Sequence, residues 1–308
     1  MRIAIIGAGI SGLIARGAFE DGSNEVDVFD SKKKAFGVFP KHFAVMRLRD
    51  DKIKKYLNCK LQKITTHKAV YHNGMLHDKP TLLLNNLYSL KIYSSLSDRS
   101  IGDLGKMDRF LIKDIKDYDA YIEKPVTGIS YAGLRFADGS QVPYDAYIST
   151  IPMPDIIRLA EYKTNIKFEY SPIHVMRAKL SVMSDVHQTL YFTDKDPCVP
   201  YRVTIEGDTL IAESLEEFGT EIDECLSAFG IDHTYLTDFK RYEQKIGKIK
   251  PIDDDERRKI MMDLTNDYNI YSFGRFATWR SLRIDQTLDD IEKIKLFLRL
   301  KHKIYYKD

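Results

Sequence analysis

The run Arg2-Ile3-Ala4-Ile5-Ile6-Gly7-Ala8-Gly9-Ile10-Ser11-Gly12 decides the fold. Its apolar front half reads as a buried parallel strand and its glycine-rich half as a turn. A helical segment follows from Leu13 to Glu20, and Gly22 can end it. Glu25-Val26-Asp27-Val28-Phe29-Asp30 then alternates like a second strand closing on a carboxylate. Strand, glycine turn, helix, strand and acid in this order make a dinucleotide-binding βαβ unit. Gly7 permits the tight turn, Gly9 lets the backbone approach a pyrophosphate, and Gly12 lets helix and strand pack closely. The helix start offers unpaired N–H groups and a positive dipole end to the phosphates. Asp30 lies 23 residues after Gly7, where the acid that holds a ribose hydroxyl is expected.

Outward from this unit, the 308 residues suffice for one large or two intertwined domains. A formal net charge of +2 gives no strong reason to invoke nucleic acid or an anionic membrane surface. The clusters Lys32-Lys33-Lys34, Lys52 with Lys54-Lys55, and Arg299 through Lys307 read as solvated surface. Cys59, Cys198 and Cys225 are odd in number and far apart, which argues against a disulfide framework or a cysteine metal site. The histidines show no metal-ligand spacing, so no metal is expected. No apolar stretch approaches a membrane span and the N-terminus enters the nucleotide strand directly, so a cytoplasmic location is expected.

Farther along, Asn73-Gly74 signals a hairpin. Residues 126–143 read as a β-meander turning at Asp138-Gly139, and Tyr144 to Pro152 as a strand returning to the main sheet. Met153 to Ala160 is a short helix candidate. Residues 220–228 and 254–267 read as helical, with Asp253 or Asp254 capping the second. Tyr268 to Phe273 is a last strand, followed by an amphipathic helix with Leu288, Ile291, Ile294 and Leu298 on its apolar stripe.

Three remote segments carry a family resemblance: Gly7 to Asp30, Asp145-Ala146-Tyr147-Ile148-Ser149-Thr150-Ile151-Pro152, and Gly274-Arg275-Phe276-Ala277-Thr278-Trp279-Arg280. Together they resemble FAD-dependent amine oxidases, phytoene-type desaturases and UDP-galactopyranose mutases. The resemblance implies an α/β fold, with a Rossmann-like FAD-binding domain of the GR2 flavoprotein type and an interleaved α+β substrate domain. Residues 1–50, 100–165 and 245–308 would form the FAD domain, and 51–99 and 166–244 the substrate domain. It further implies that Gly7, Gly9, Ile10, Ser11 and Gly12 cradle the pyrophosphate and that Asp30 takes the ribose. Ser31 and Lys32 would line the adenine end, with backbone groups of Val126 at the adenine edge. Thr150, Ile151 and Pro152 would lie against the cofactor's middle, Gly274 and Arg275 near the flavin diphosphate. N–H groups from Leu282 through Ile284 to Asp285 would face the isoalloxazine carbonyl, where a helix start favours the charge of reduced flavin.

The chemistry implied is hydride transfer from a C–N carbon to flavin N5, with O2 as acceptor and a small amine as substrate. The absence of a second G-x-G-x-x-G argues against a built-in pyridine-nucleotide domain. Many such oxidases use a lysine near N5; Lys245, Lys248 and Lys250 are the candidates, with Lys248 preferred. Arg47 and Tyr88 are the substrate-side candidates, joined by His42, Arg99, Arg109 and Trp279. The Lys, Ile, Asn and Tyr usage suggests an AT-rich, viral source, and in size and layout the short chain is similar to the small flavin oxidases of viral thymidine hypermodification pathways. An amine-modified nucleotide or DNA substrate, glycinylthymidine converted to aminomethyl-deoxyuridine in a host cytoplasm, is the specific expectation. The alternatives are a mutase-like enzyme using reduced flavin without net redox, and a flavin-fold protein that only binds.

Overall fold

The first strand, Arg2–Ile6, lies at the centre of a five-stranded, all-parallel sheet. The computed structural model of the chain describes residues 1–31, 46–79, 81–92, 104–116, 120–130, 132–182 and 184–305. Glu25–Asp30 pairs with one edge of the central strand and Ala146–Ser149 with the other; Ile270–Ser272 and Ile122–Glu123 complete the sheet. Both faces of a parallel sheet must be covered, and the central strand supplies apolar residues to both. Ile3 and Ile5 face the helices Ile10–Phe19 and Ile284–Tyr305. Ala4 and Ile6 face the helices Met153–Leu159 and Asp254–Tyr268 and a small three-stranded sheet.

Local signals explain the boundaries. Asp253 accepts hydrogen bonds from the amides of Asp255 (3.0 Å) and Glu256 (2.9 Å), capping the helix that starts at Asp254. Asn269, at a φ of 57°, ends the same helix in the left-handed conformation. Leu288, Ile291, Ile294 and Leu298 are all buried against the first helix and strand. Each such side chain contributes roughly 1.5–3 kcal/mol on leaving water.

A second, nine-stranded and mostly antiparallel sheet is built from residues 47–115 and 170–249. Asn73 and Gly74, with φ values of 50° and 77°, turn Cys59–His72 back into Met75–His77. The strand Gly105–Ile115, placed by the sequence on the cofactor side of the division, pairs along Cys59–His72 in this larger sheet. The reason is its length: its eleven residues find a long antiparallel partner. Its Ile112 and Ile115 nevertheless pack into the core beneath the first helix. One face of the large sheet is apolar and covered by the helix Ile222–Ser227. The other is unusually polar. It carries Thr66, Thr189, Thr204, Arg202, Glu206 and Glu213, with the helix Leu82–Ile92 at one side.

Candidate functional site

The glycine turn is shaped by its neighbours. Gly7 has a φ of +103°, and a Cβ there would meet Thr150 Oγ1 at 2.5 Å and Ile151 Cγ2 at 3.0 Å. A Cβ on Gly12 would collide with the Gly7 carbonyl, whose carbon lies 3.0 Å away. Packing therefore demands glycine at both positions. Gly9 differs: its φ is −71° and a Cβ would meet nothing within 4 Å. Neither backbone nor packing calls for glycine at Gly9, but a ligand approaching its main chain would.

Gly9 also begins the helix Ile10–Phe19, which has no side-chain cap and no acid in its first turn. The amides and dipole of that end are thus left to a ligand, as a pyrophosphate site requires. Asp30 accepts a 2.8 Å hydrogen bond from the Ala8 amide, which fixes its carboxylate beside the turn. A dinucleotide fits this arrangement, with Gly7 to Gly12 on its phosphates and Asp30 toward a ribose.

The middle segment closes on the same turn. Thr150 Oγ1 donates to the carbonyls of Ile6 and Gly7, each at 3.0 Å, and the Thr150 amide donates to Ile6 at 2.9 Å. Ile151 and Pro152 follow, half-buried, and Pro152 starts the next helix. The late segment arrives from the adjacent strand: Gly274, at a φ of +94°, abuts Ser11 so closely that a Cβ would lie 2.8 Å from the serine Cβ. The Met153 amide donates to Phe276 at 3.0 Å, tying middle and late segments together.

Arg275 carries the site toward the large sheet. It donates to the Gly247 carbonyl at 3.0 Å and lies 4.9 Å from the Phe276 ring centre. Next in the chain, buried Lys248 places its ammonium 4.2 Å from the centre of the Tyr201 ring. Arg202 Nε donates to the buried carboxylate of Glu213. Burial alone would raise the Glu213 carboxyl, but Arg202, Lys248 and Arg275 outweigh it and hold it below its ordinary range. Tyr88 packs edge-on to Tyr191 at 5.7 Å beside this cluster. Burial pushes its phenol well up.

The remaining sequence candidates fall elsewhere or take other roles. Arg47 is not placed as a substrate contact: its guanidinium, 6% exposed, binds Glu206, Thr66, Thr189 and the Ile205 carbonyl. A buried guanidinium needs acceptors, and the polar sheet face supplies four. Tyr88 is 1% exposed and packs in the hydrophobic cluster on this side of the sheet. Trp279 is core as well, its indole N–H donating to the Lys250 carbonyl at 3.0 Å. Lys245 is exposed, and Lys250 pairs with Glu169 on the surface, so only Lys248 of the three lysines points inward. Arg109 is half-exposed, donating to the Asp108 carbonyl. Lys32, His42 and Arg99 lie outside the described residues.

Val126 begins the strand Val126–Ser130 just after the chain pairs alongside Asp30, and Ser31 is exposed. Leu282 leads into the last helix, which Ile284 begins. Asp285 puts an acid into that first turn, but Arg283 pairs with it at 3.0 Å and offsets its charge.

The sequence reading did not single out Arg202, Glu213 and Tyr201. A signal for two of them exists: Gly207-Asp208 sits between two alternating runs, and a hairpin there sets Arg202 opposite Glu213.

No family model matches the sequence, and no curated protein matches it. Solved structures do share the fold. A reduced UDP-galactopyranose mutase matches at a TM-score of 0.67 and 16% identity, over 97% of this chain and 94% of that one. A CLA-producing fatty acid isomerase from P. acnes matches at 0.62 and 10%, over 99% and 98%. An oxidoreductase from Methanosarcina mazei matches at 0.56 and 11%, over 89% and 94%. The chain therefore shares its mixed α/β fold with these solved structures. At these identities the likeness is one of fold, and activity must be argued from the site.

Proposed function

We propose that this protein is an FAD-dependent oxidoreductase of the amine oxidase type. The observation that carries the reading is the open space at Gly9, surrounded by three remote segments and an uncapped helix start. Held there, FAD would supply a two-electron acceptor for the hydride of a C–N carbon and would pass the electrons to O2. The chain's own residues do the rest. Gly7, Gly9, Ile10, Ser11 and Gly12 bind the diphosphate, and Asp30 and Val126 orient the adenosine end. Thr150 locks the turn to the middle strand, with Ile151 and Pro152 along the cofactor. Gly274 and Arg275 bridge to the large sheet, and the start of the last helix, from Leu282 to Ile284, faces the flavin.

Lys248 is the residue we assign to the substrate amine. An amine gives up hydride only when neutral, and a buried ammonium next to Arg275 discourages a second cation there. Among substrates, an amine-modified thymidine, free or in DNA, is the one to try first, with glycinylthymidine as the specific case. Residues 1–50, 100–165 and 245–308 would then form the cofactor domain and the remainder the substrate domain, with Gly105–Ile115 shared between them.

The test is direct. The purified protein should be yellow or take up FAD, bleach anaerobically on a supplied amine, and release peroxide when air is admitted. A protein that never acquires flavin absorption refutes the proposal. Turnover only after dithionite reduction, without peroxide, would instead identify a mutase-like enzyme.

A further inference from the structure

The strand Tyr170–Leu180 is entered by a stretch of chain that has no partner. Its antiparallel neighbour Leu236–Ile249 reaches Tyr170 at Ile249. One further rung follows, in which the Lys250 amide donates to the Glu169 carbonyl at 2.9 Å. Pro251 offers no N–H beyond it, and the chain turns away into the helix Asp254–Tyr268. Residues 163–168 thus lie alongside no strand. Exposure nevertheless alternates residue by residue from Glu161 to Glu169, as it does along a strand. The Ile166 amide turns to Thr164 Oγ1 at 3.2 Å. Among the described residues, the amides of Lys163, Thr164, Asn165, Lys167 and Phe168 donate to nothing.

Beside this open edge lies a groove of about 1010 Å³, at the top of the range for small-ligand pockets. The unpaired stretch forms one wall, and Asp253, Glu256 and Lys259 at the helix start form the other. Ile166, Ile252 and Ile260 supply an apolar floor. Charge selects the guest. Lys163, Lys167 and Lys259 make no ion pair among the described residues. Of the two acids, Asp253 is engaged with the amides of Asp255 and Glu256, which leaves Glu256. Lys163, Asn165 and Lys167 share the exposed side of the alternation, and Ile166 the inner side. In an added strand, acids therefore belong opposite the two lysines, with apolar residues between them toward the floor. A nucleic-acid backbone matches less well, because it brings phosphates toward Asp253 and Glu256 and nothing apolar to the isoleucines.

We propose that residues 163–168 are a docking edge for an extended acidic peptide of a partner protein, which adds as a strand in the place that Pro251 leaves open. Its acids alternate with apolar residues and meet Lys163 and Lys167. The edge lies outside the glycine cradle and needs no flavin, so it goes beyond the oxidoreductase reading and does not depend on it.

The test uses the full chain at low salt and fluorescein-labelled peptides read by anisotropy. The acidic probe is Val-Glu-Val-Thr-Val-Glu-Val, and its control carries Lys in place of both Glu. The acidic probe should bind about 10-fold more tightly than the control, as two cross-strand charge pairs allow, and added salt should erode that preference. Lys163→Glu with Lys167→Glu should invert the preference. The thermal midpoint reports whether this variant is folded; if it is not, Lys163→Gln with Lys167→Gln should abolish the preference instead. Hydrogen exchange of the amides in 163–168 should slow about 10-fold under saturating acidic probe, the signature of main-chain pairing. No binding of the acidic probe, equal binding of both probes, an unchanged preference in the folded variant, or unprotected amides beneath a bound probe overturns the proposal. A twelve-residue oligothymidylate that displaces the acidic probe, and whose own binding the variant loses, overturns it in favour of a nucleic-acid groove.

Discussion

Gly274 and Ser11 touch so closely that a methyl group on the glycine would lie 2.8 Å from the serine Cβ and nearer still to its Oγ. The last strand of the parallel sheet is thereby seated on the first turn of the first helix, although 263 residues separate the two. Gly274→Ala adds this overlap to a φ of +94° that L side chains rarely adopt. It should lower the unfolding free energy by roughly 2 kcal/mol or more. Ser11→Gly in the same chain removes the overlap but not the backbone strain, so urea melts should show partial recovery. No recovery would locate the cost elsewhere.

Gly9 and Gly12 separate ligand binding from folding. Gly12→Ala drives a methyl into the Gly7 carbonyl and should leave little folded protein. Gly9→Ala places its methyl in open space at an ordinary φ, so stability without ligand should change by no more than about 0.5 kcal/mol. FAD uptake, read as bound flavin after gel filtration, should nonetheless fall sharply. Undiminished uptake would mean that the phosphates do not lie against Gly9.

Arg47 supports the large sheet. Arg47→Met takes the guanidinium from Glu206, leaving its carboxylate to His187, and should cost about 3 kcal/mol, the low end for halving a buried ion pair. Arg47→Met with Glu206→Gln should recover much of that. Denaturant midpoints check both, and equal midpoints for single and double variants would show that the carboxylate left without its arginine is not the cause.

Alkaline pH should unfold the protein partly through Tyr271. Burial pushes this phenol up to about 12 from an ordinary value near 10. Between those values the unfolded chain has released the proton and the folded chain keeps it, so stability falls as pH rises through that window. The loss is at most about 2–3 kcal/mol from this group. Tyr271→Phe should flatten the fall over the same interval in thermal melts; an unchanged slope would exclude Tyr271 as a source.

Much of the parallel-sheet half is written locally. Residues 2–30 carry strand, turn, helix and acid in their spacing, and the structure sets them side by side as that spacing requires. The cap at Asp253, the hairpin at Asn73-Gly74 and the apolar stripe of the last helix are equally local, because each depends on residues within one or two turns. The large sheet is less legible: a long strand's partner is chosen by register and burial across a hundred residues, which is how Gly105–Ile115 comes to lie along Cys59–His72.

The sequence by itself determined a glycine-rich turn between a strand and a helix and a carboxylate 23 residues on, and it marked two further remote segments. Only the tertiary structure decided that Thr150 and Gly274 close on that turn, and that Lys248 rather than Lys245 or Lys250 faces inward. It also decided that Arg47 is consumed by Glu206 while Arg202 keeps a face open. Glycine spacing reports backbone geometry, which is local. The role of a charged side chain depends on which acceptors remain near it once all the strands have paired, and no stretch of sequence contains that information.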